Sequence, residues 1–95
     1  MTIPSNVKIG ALYFDVKQVD ELKDEDSEDI YGQVDHFKQE FTLRKDVTEE
    51  IKKVTLLHEI IHVFDEYFSL GLSEGETDQL AFLLHMVLKE NEGLL

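Results

Sequence analysis

His58-Glu59-Ile60-Ile61-His62 sets two imidazoles four residues apart with a carboxylate beside the first. On a helix, positions i and i+4 share one face, so both rings can reach a single cation. Tetrahedral zinc binds imidazole nitrogens at roughly 2.0–2.1 Å, and a catalytic site takes three protein ligands and keeps one position open. Glu59 would project beside such an ion, where it can take a proton from a water the ion has acidified. Between Leu56 and Phe64 the only polar residues are His58, Glu59 and His62. Burying three ionisable groups without partners is costly, and a shared cation removes that cost.

A third ligand has to come from another segment. Glu74 opens the pattern Glu74-x-x-x-Asp78, with eleven residues between His62 and Glu74. That interval suits a turn returning a second helix antiparallel to the first. Glu74 is the expected ligand. Glu76 is its rival, although Glu76 also fits as the capping partner of Ser73. Asp78, one turn past Glu74, is placed to accept a hydrogen bond from a ligand histidine's other nitrogen and fix its tautomer. His36 and His85 remain. His85 lies within an apolar run and is expected to be a packing residue, as are Tyr31 and Tyr67, the other side chains able to steady an oxyanion.

These residues need a scaffold. From Val7 to Val19 the sequence VKIGALYFDVKQV alternates apolar and polar residues around Gly10, the pattern of a hairpin or a bent strand. A second hairpin is expected with Tyr31–Val34 paired to Glu40–Leu43. The period then changes. Asp46 to Glu49 offers a helix N-cap, apolar residues recur at Ile51, Val54, Leu57 and Ile61, and Gly71 predicts a stop near Leu70. Ser73-Glu74-Gly75-Glu76 reads as a capping box opening a second helix through Leu88. Strands followed by helices predict an α+β fold: a small antiparallel sheet of three or four N-terminal strands packed on two helices, forming one domain over residues 1–95.

Composition narrows the function classes. Twenty-one acids against nine bases give a net charge of −12, which repels phosphate backbones and disfavours direct nucleic-acid binding. Seven of those acids fall between Asp20 and Asp29, in a stretch that lacks the alternating ligands and central glycine of an EF-hand and is expected to be a solvated loop. The absence of cysteine excludes thiolate ligands and disulfides. With no signal-like N-terminus and no long apolar run, a cytoplasmic protein without a membrane span is expected.

HEIIH with a downstream glutamate resembles the gluzincin arrangement of zinc metallopeptidases. Glu74-Gly-Glu-Thr-Asp78-Gln-Leu-Ala81 resembles the E-x-x-x-[ND]-x-[FL]-A helix start of the ImmA/IrrE-type metallo-endopeptidases. The order of strand pair, Gly-containing hairpin, TLLHEIIH helix and acid-capped last helix is similar to small phage- or prophage-associated zincin-like proteins. The resemblance implies a Zn2+ site of His58, His62 and Glu74, with Glu59 as general base and acid and Asp78 as support. It also implies a protein or peptide substrate. The chain departs from larger gluzincins in lacking their later oxyanion-stabilising His or Tyr, with only His85 in that region. Two functions are therefore expected to compete: a minimal zinc metallopeptidase, and a zinc-stabilised, non-catalytic module whose acidic surface binds a protein partner. A metal-free structural domain is the third.

Overall fold

The computed structural model describes residues 2–94. Its strands are β1 (Asn6–Ile9), β2 (Leu12–Val19), β3 (Gly32–Asp35) and β4 (Glu40–Arg44), followed by helices α1 (Glu49–Phe68) and α2 (Glu74–Glu90). The fold is α+β. Gly10, at φ +60°, turns β1 into β2 as an antiparallel hairpin, and β3 pairs antiparallel with β4.

The sheet as a whole is mixed rather than antiparallel, because β4 lies parallel to β2 in the order β1-β2-β4-β3. The reason lies in what each strand must bury. Phe41 and Leu43 on β4 are fully buried, and Phe41 stacks on Phe14 of β2 with ring centroids 5.0 Å apart. A strand that buries this much apolar surface belongs inside the sheet. The sequence of β3, GQVD, carries one apolar side chain and takes the edge. The acidic segment from Asp20 to Asp29 makes the crossing possible. It leaves the end of β2, closes on itself through a Lys23–Asp29 bridge, and delivers the chain to the far edge.

Helix α1 lies on β3 and β4, and α2 lies on α1. Phe14, Phe41, Leu43, Leu56 and Val63 form the core between sheet and α1. Thr48 caps α1 by accepting a hydrogen bond from the Ile51 amide at 3.2 Å. The helix stops at Phe68, two residues earlier than the glycine suggests, because Ser69 already takes the left-handed conformation. Gly71, at φ +71°, then donates its amide to the Asp65 carboxylate at 2.7 Å. Ser73 opens α2 with the expected capping box: its hydroxyl accepts the Glu76 amide, and the Glu76 carboxylate accepts the Ser73 amide.

One close approach fixes the edge strand over the helix. A Cβ at Gly32 would lie 2.5 Å from Thr55 Cγ2 and 3.1 Å from both Leu43 Cδ2 and the Thr42 carbonyl oxygen. Only glycine lets β3 come this near to α1.

Candidate metal centre

The face of α1 turned toward the sheet buries Thr55, Leu56, Glu59 and Val63. His58 and His62 lie beside that face, on the side where α2 starts, and both are partly buried. Their rings meet edge to face, with centroids 4.6 Å apart and planes at 71°. The two Nε2 atoms stand 2.9 Å from each other. Glu74, in the first turn of α2, closes over them: Oε1 is 2.7 Å from His58 Nε2, and Oε2 is 3.3 Å from His62 Nε2.

Asp78 orients the His58 ring. Its Oδ1 lies 2.7 Å from His58 Nδ1, so in the neutral ring Nδ1 carries the hydrogen and donates it. The Nε2 of His58 then presents a lone pair, aimed at a Glu74 carboxylate oxygen and at the second imidazole. Lone pairs cannot face an anionic oxygen at that distance without a positive charge between them. A proton or a cation has to occupy the point of convergence.

The donor spacing suits a metal. Ligands about 2.0–2.1 Å from a tetrahedral ion stand roughly 3.3–3.4 Å apart. The His62–Glu74 pair already has that separation, and the two shorter pairs need to open by about half an ångström. His58, Glu59 and His62 can hold a metal ion, and His58, Glu74 and Asp78 form an overlapping group; within each, the donor atoms lie within 4.8 Å of one another. The two imidazole nitrogens and the Glu74 carboxylate also converge, with Glu59 beside them and Asp78 on the far nitrogen of His58.

Glu59 is the buried member, at 7% exposure. Burial pushes its carboxyl above the ordinary carboxylate range. The imidazoles of His58 and His62 pull it back, and the charges of Glu74 and Asp78 push it up again. Such a carboxylate exchanges a proton nearer neutral pH than a solvated one, as a general base and acid requires.

Glu76 does not reach the group. Its carboxylate is engaged by the Ser73 amide at 2.8 Å, and hydrogen bonds from the Ser73 backbone and side chain hold its pKa below the usual carboxylate range. The same capping box orients the first turn of α2 so that Glu74 points at the imidazoles.

The site opens into a cleft of about 590 Å³ walled by α1, the start of α2, and the segment Asp29–Val34 on and before β3. Tyr31 lines this cleft; Tyr67 lies instead against the β3–β4 turn, near Asp35 and His36. His85 is also elsewhere, bound to Glu50 at 2.9 Å with Lys89 on the same carboxylate. A second, more apolar cleft of about 580 Å³ shares Tyr31, Val54 and Thr55 with the first and runs on to Phe82 and Met86. Val54 and Thr55 stand one helical turn before His58 on α1, whereas Tyr31 reaches the histidines only because β3 comes close to α1 at Gly32.

Comparison of the chain with protein-family models, with curated proteins and with solved structures gives no match. Among the described residues, no helix is long and apolar enough to cross a membrane.

Proposed function

We propose that this chain is a minimal zinc-dependent metallopeptidase, acting on a protein or peptide substrate. The observation that carries the reading is the His58–Asp78 contact. It turns the His58 Nε2 lone pair toward the point where His62 Nε2 and the Glu74 carboxylate also converge, with the buried Glu59 adjacent. A site for storage or structure alone does not need that second carboxylate. The resemblance of HEIIH and ExxxD to gluzincins of the ImmA/IrrE type supports the same assignment.

Zinc, when bound, supplies Lewis acidity that acidifies a water and polarises the scissile carbonyl. The chain's own residues do the rest. Glu59 accepts the water's proton and passes it to the leaving amine; its raised proton affinity suits both steps. Asp78 keeps His58 in the Nδ1–H tautomer. Strand β3 is an edge strand whose residues Gly32–Val34 line the cleft, so an extended segment can add to it by backbone hydrogen bonds. Tyr31 is the one phenol on the cleft wall among the described residues, and it is assigned the carbonyl oxygen.

Wild-type and Glu59→Gln proteins, each assayed for zinc, are incubated with casein and with a peptide library. Glu59→Gln should retain zinc and lose at least 10²–10⁴-fold in hydrolysis, roughly the worth of general acid–base catalysis. Equal rates for the two proteins would eliminate the mechanism. No cleavage by either would favour the second reading, a zinc-stabilised binding module. That reading has its own support in the exposed apolar surface of α2.

A further inference from the structure

Two helical rows carry the histidine cleft onward into the second, apolar one. Ile51, Val54, Thr55, His58 and His62 follow one another at helical spacing and form one row along α1. Glu74, Asp78, Phe82 and Met86 recur every four residues and form a row along α2. The helices run antiparallel: Glu74 meets His58 and His62 at one end, and His85 meets Glu50 at the other. The two rows therefore change character together. Their polar halves face each other at the histidines, and their apolar halves, with Tyr31, line the second cleft of about 580 Å³. Tyr31, Val54 and Thr55 wall both clefts, so the second adjoins the first. The charges at its far end are already matched. His85 and Lys89 stand 2.9 and 3.4 Å from one Glu50 oxygen, so an occupant needs to bring no charge of its own.

We propose that the second cleft is a specificity pocket that takes one bulky apolar side chain (Phe, Leu or Met) of a peptide bound along β3. The assignment rests on the reading of the first cleft as a peptide site. Continuity sets the occupant: Tyr31 stands immediately before β3, so a segment added to that edge passes it on the way from the histidines to Phe82 and Met86. The register follows from the helix. Val54 and Ile51 precede His58 by four and seven residues, which is about 6 and 10 Å along the α1 axis. An extended chain covers roughly 3.3 Å per residue, so the pocket reads a side chain about two to three residues from the carbonyl held at the histidines.

Lysine-flanked alanine peptides, with a single Phe walked through successive positions, test this on zinc-loaded protein; the flanks suit a chain of net charge −12. Phe at one position should raise kcat/KM by about 10–100-fold over the all-alanine peptide, the worth of burying one such side chain. Phe82→Ser and Met86→Glu should each bring that ratio close to one. Both side chains are exposed in the free chain, so neither change empties the core. Binding is read separately. The chain has no tryptophan, so a Trp in place of the Phe reports its own burial. On zinc-loaded Glu59→Gln protein its emission should shift to the blue. Met86→Glu should weaken this binding by about 10–100-fold, while Leu83→Glu, on α2 outside the cleft, should not. Cleavage with no favoured apolar position would overturn the pocket and leave the peptidase. Trp burial that depends on Met86, with no cleavage of any peptide, would keep the pocket and remove the peptidase. Equal weakening by Leu83→Glu and Met86→Glu, or no blue shift at all, would overturn the pocket.

Discussion

Stripping a bound metal should lower the melting temperature by an amount that the metal's occupancy sets. Without a cation, the His58 lone pair faces a Glu74 oxygen at 2.7 Å, and Glu59, Glu74 and Asp78 gather three carboxylates around two imidazoles. The apo chain must relax this cluster or protonate it, and either response loosens the contact between α1 and the first turn of α2. A ligand present at 100 times its dissociation constant stabilises the fold by about 2.7 kcal/mol, and at 1,000 times by about 4.1 kcal/mol. For a domain of this size one kcal/mol moves the midpoint by about 4–8 °C, so chelation should cost at least ~10 °C. The chain has no tryptophan, so the helical far-ultraviolet dichroism is the signal to follow, at fixed protein concentration. Metal binding needs neutral imidazoles, so the difference between holo and apo protein should shrink under acid. If protein shown to be metal-free melts with the holoprotein at neutral pH, the centre does not stabilise the fold, and the account of convergent lone pairs fails with it.

Three further outcomes follow from particular contacts. Asp78→Asn removes the anionic acceptor on His58 Nδ1 and should weaken zinc by roughly 10–100-fold in a competition titration, while Glu76→Gln should leave it unchanged. Gly32→Ala pushes a methyl group into Thr55 Cγ2 and should destabilise the chain by about 1–3 kcal/mol in urea unfolding; Thr55→Ser, which removes Cγ2, should recover part of the loss. Arg44 binds Asp46 at 2.9 Å and Asp29 at 3.2 Å. It is the chief cause of the lowered Asp46 pKa, while Lys23 leads at Asp29. A carboxylate depressed in the folded state stabilises above its unfolded pKa and loses that contribution as the pH falls through its folded value. Arg44→Ala should therefore destabilise at neutral pH and progressively less in acid; an equal loss at every pH would remove the ion pairs as the cause.

Much of the site was legible because its spacings are local. His58 and His62 sit i,i+4 on one helix, Glu74 and Asp78 sit i,i+4 on another, and both helices carry recognisable caps. The choice between Glu74 and Glu76 was decided by competition for hydrogen bonds. The Ser73 amide claims Glu76, which turns Glu74, two residues away, toward the histidines. The sheet was less legible. Hairpin pairing is set by turns within a few residues, and both hairpins formed as expected. How two hairpins join depends on which strand can bury most, a property of the whole core that no window of sequence contains. Phe41 and Leu43 drew β4 beside β2 and thereby placed β3 at the edge next to the histidine cleft.

That ordering has a functional consequence. Had the sheet joined with β3 inside, β4 would have been the edge bordering the cleft, and Phe41 and Leu43 would have lost the cover of a strand on one side. With β3 outside, a polar strand anchored by Gly32 offers its unpaired edge along the mouth of the site. The same logic explains α2. Its run from Leu80 to Leu88 reads from sequence like a core helix, yet the small sheet is already covered by α1 and leaves it no room. The helix is tied to α1 through Thr77, Ala81 and the Glu74–histidine contacts near its start and through His85 and Lys89 on Glu50 near its end, while its outer apolar side chains stay exposed. A cation bound by His58, His62 and Glu74 would tie the first turn of α2 to α1. Chelation should then raise amide hydrogen exchange in that turn first, and unchanged exchange there would show that capping and packing alone hold it.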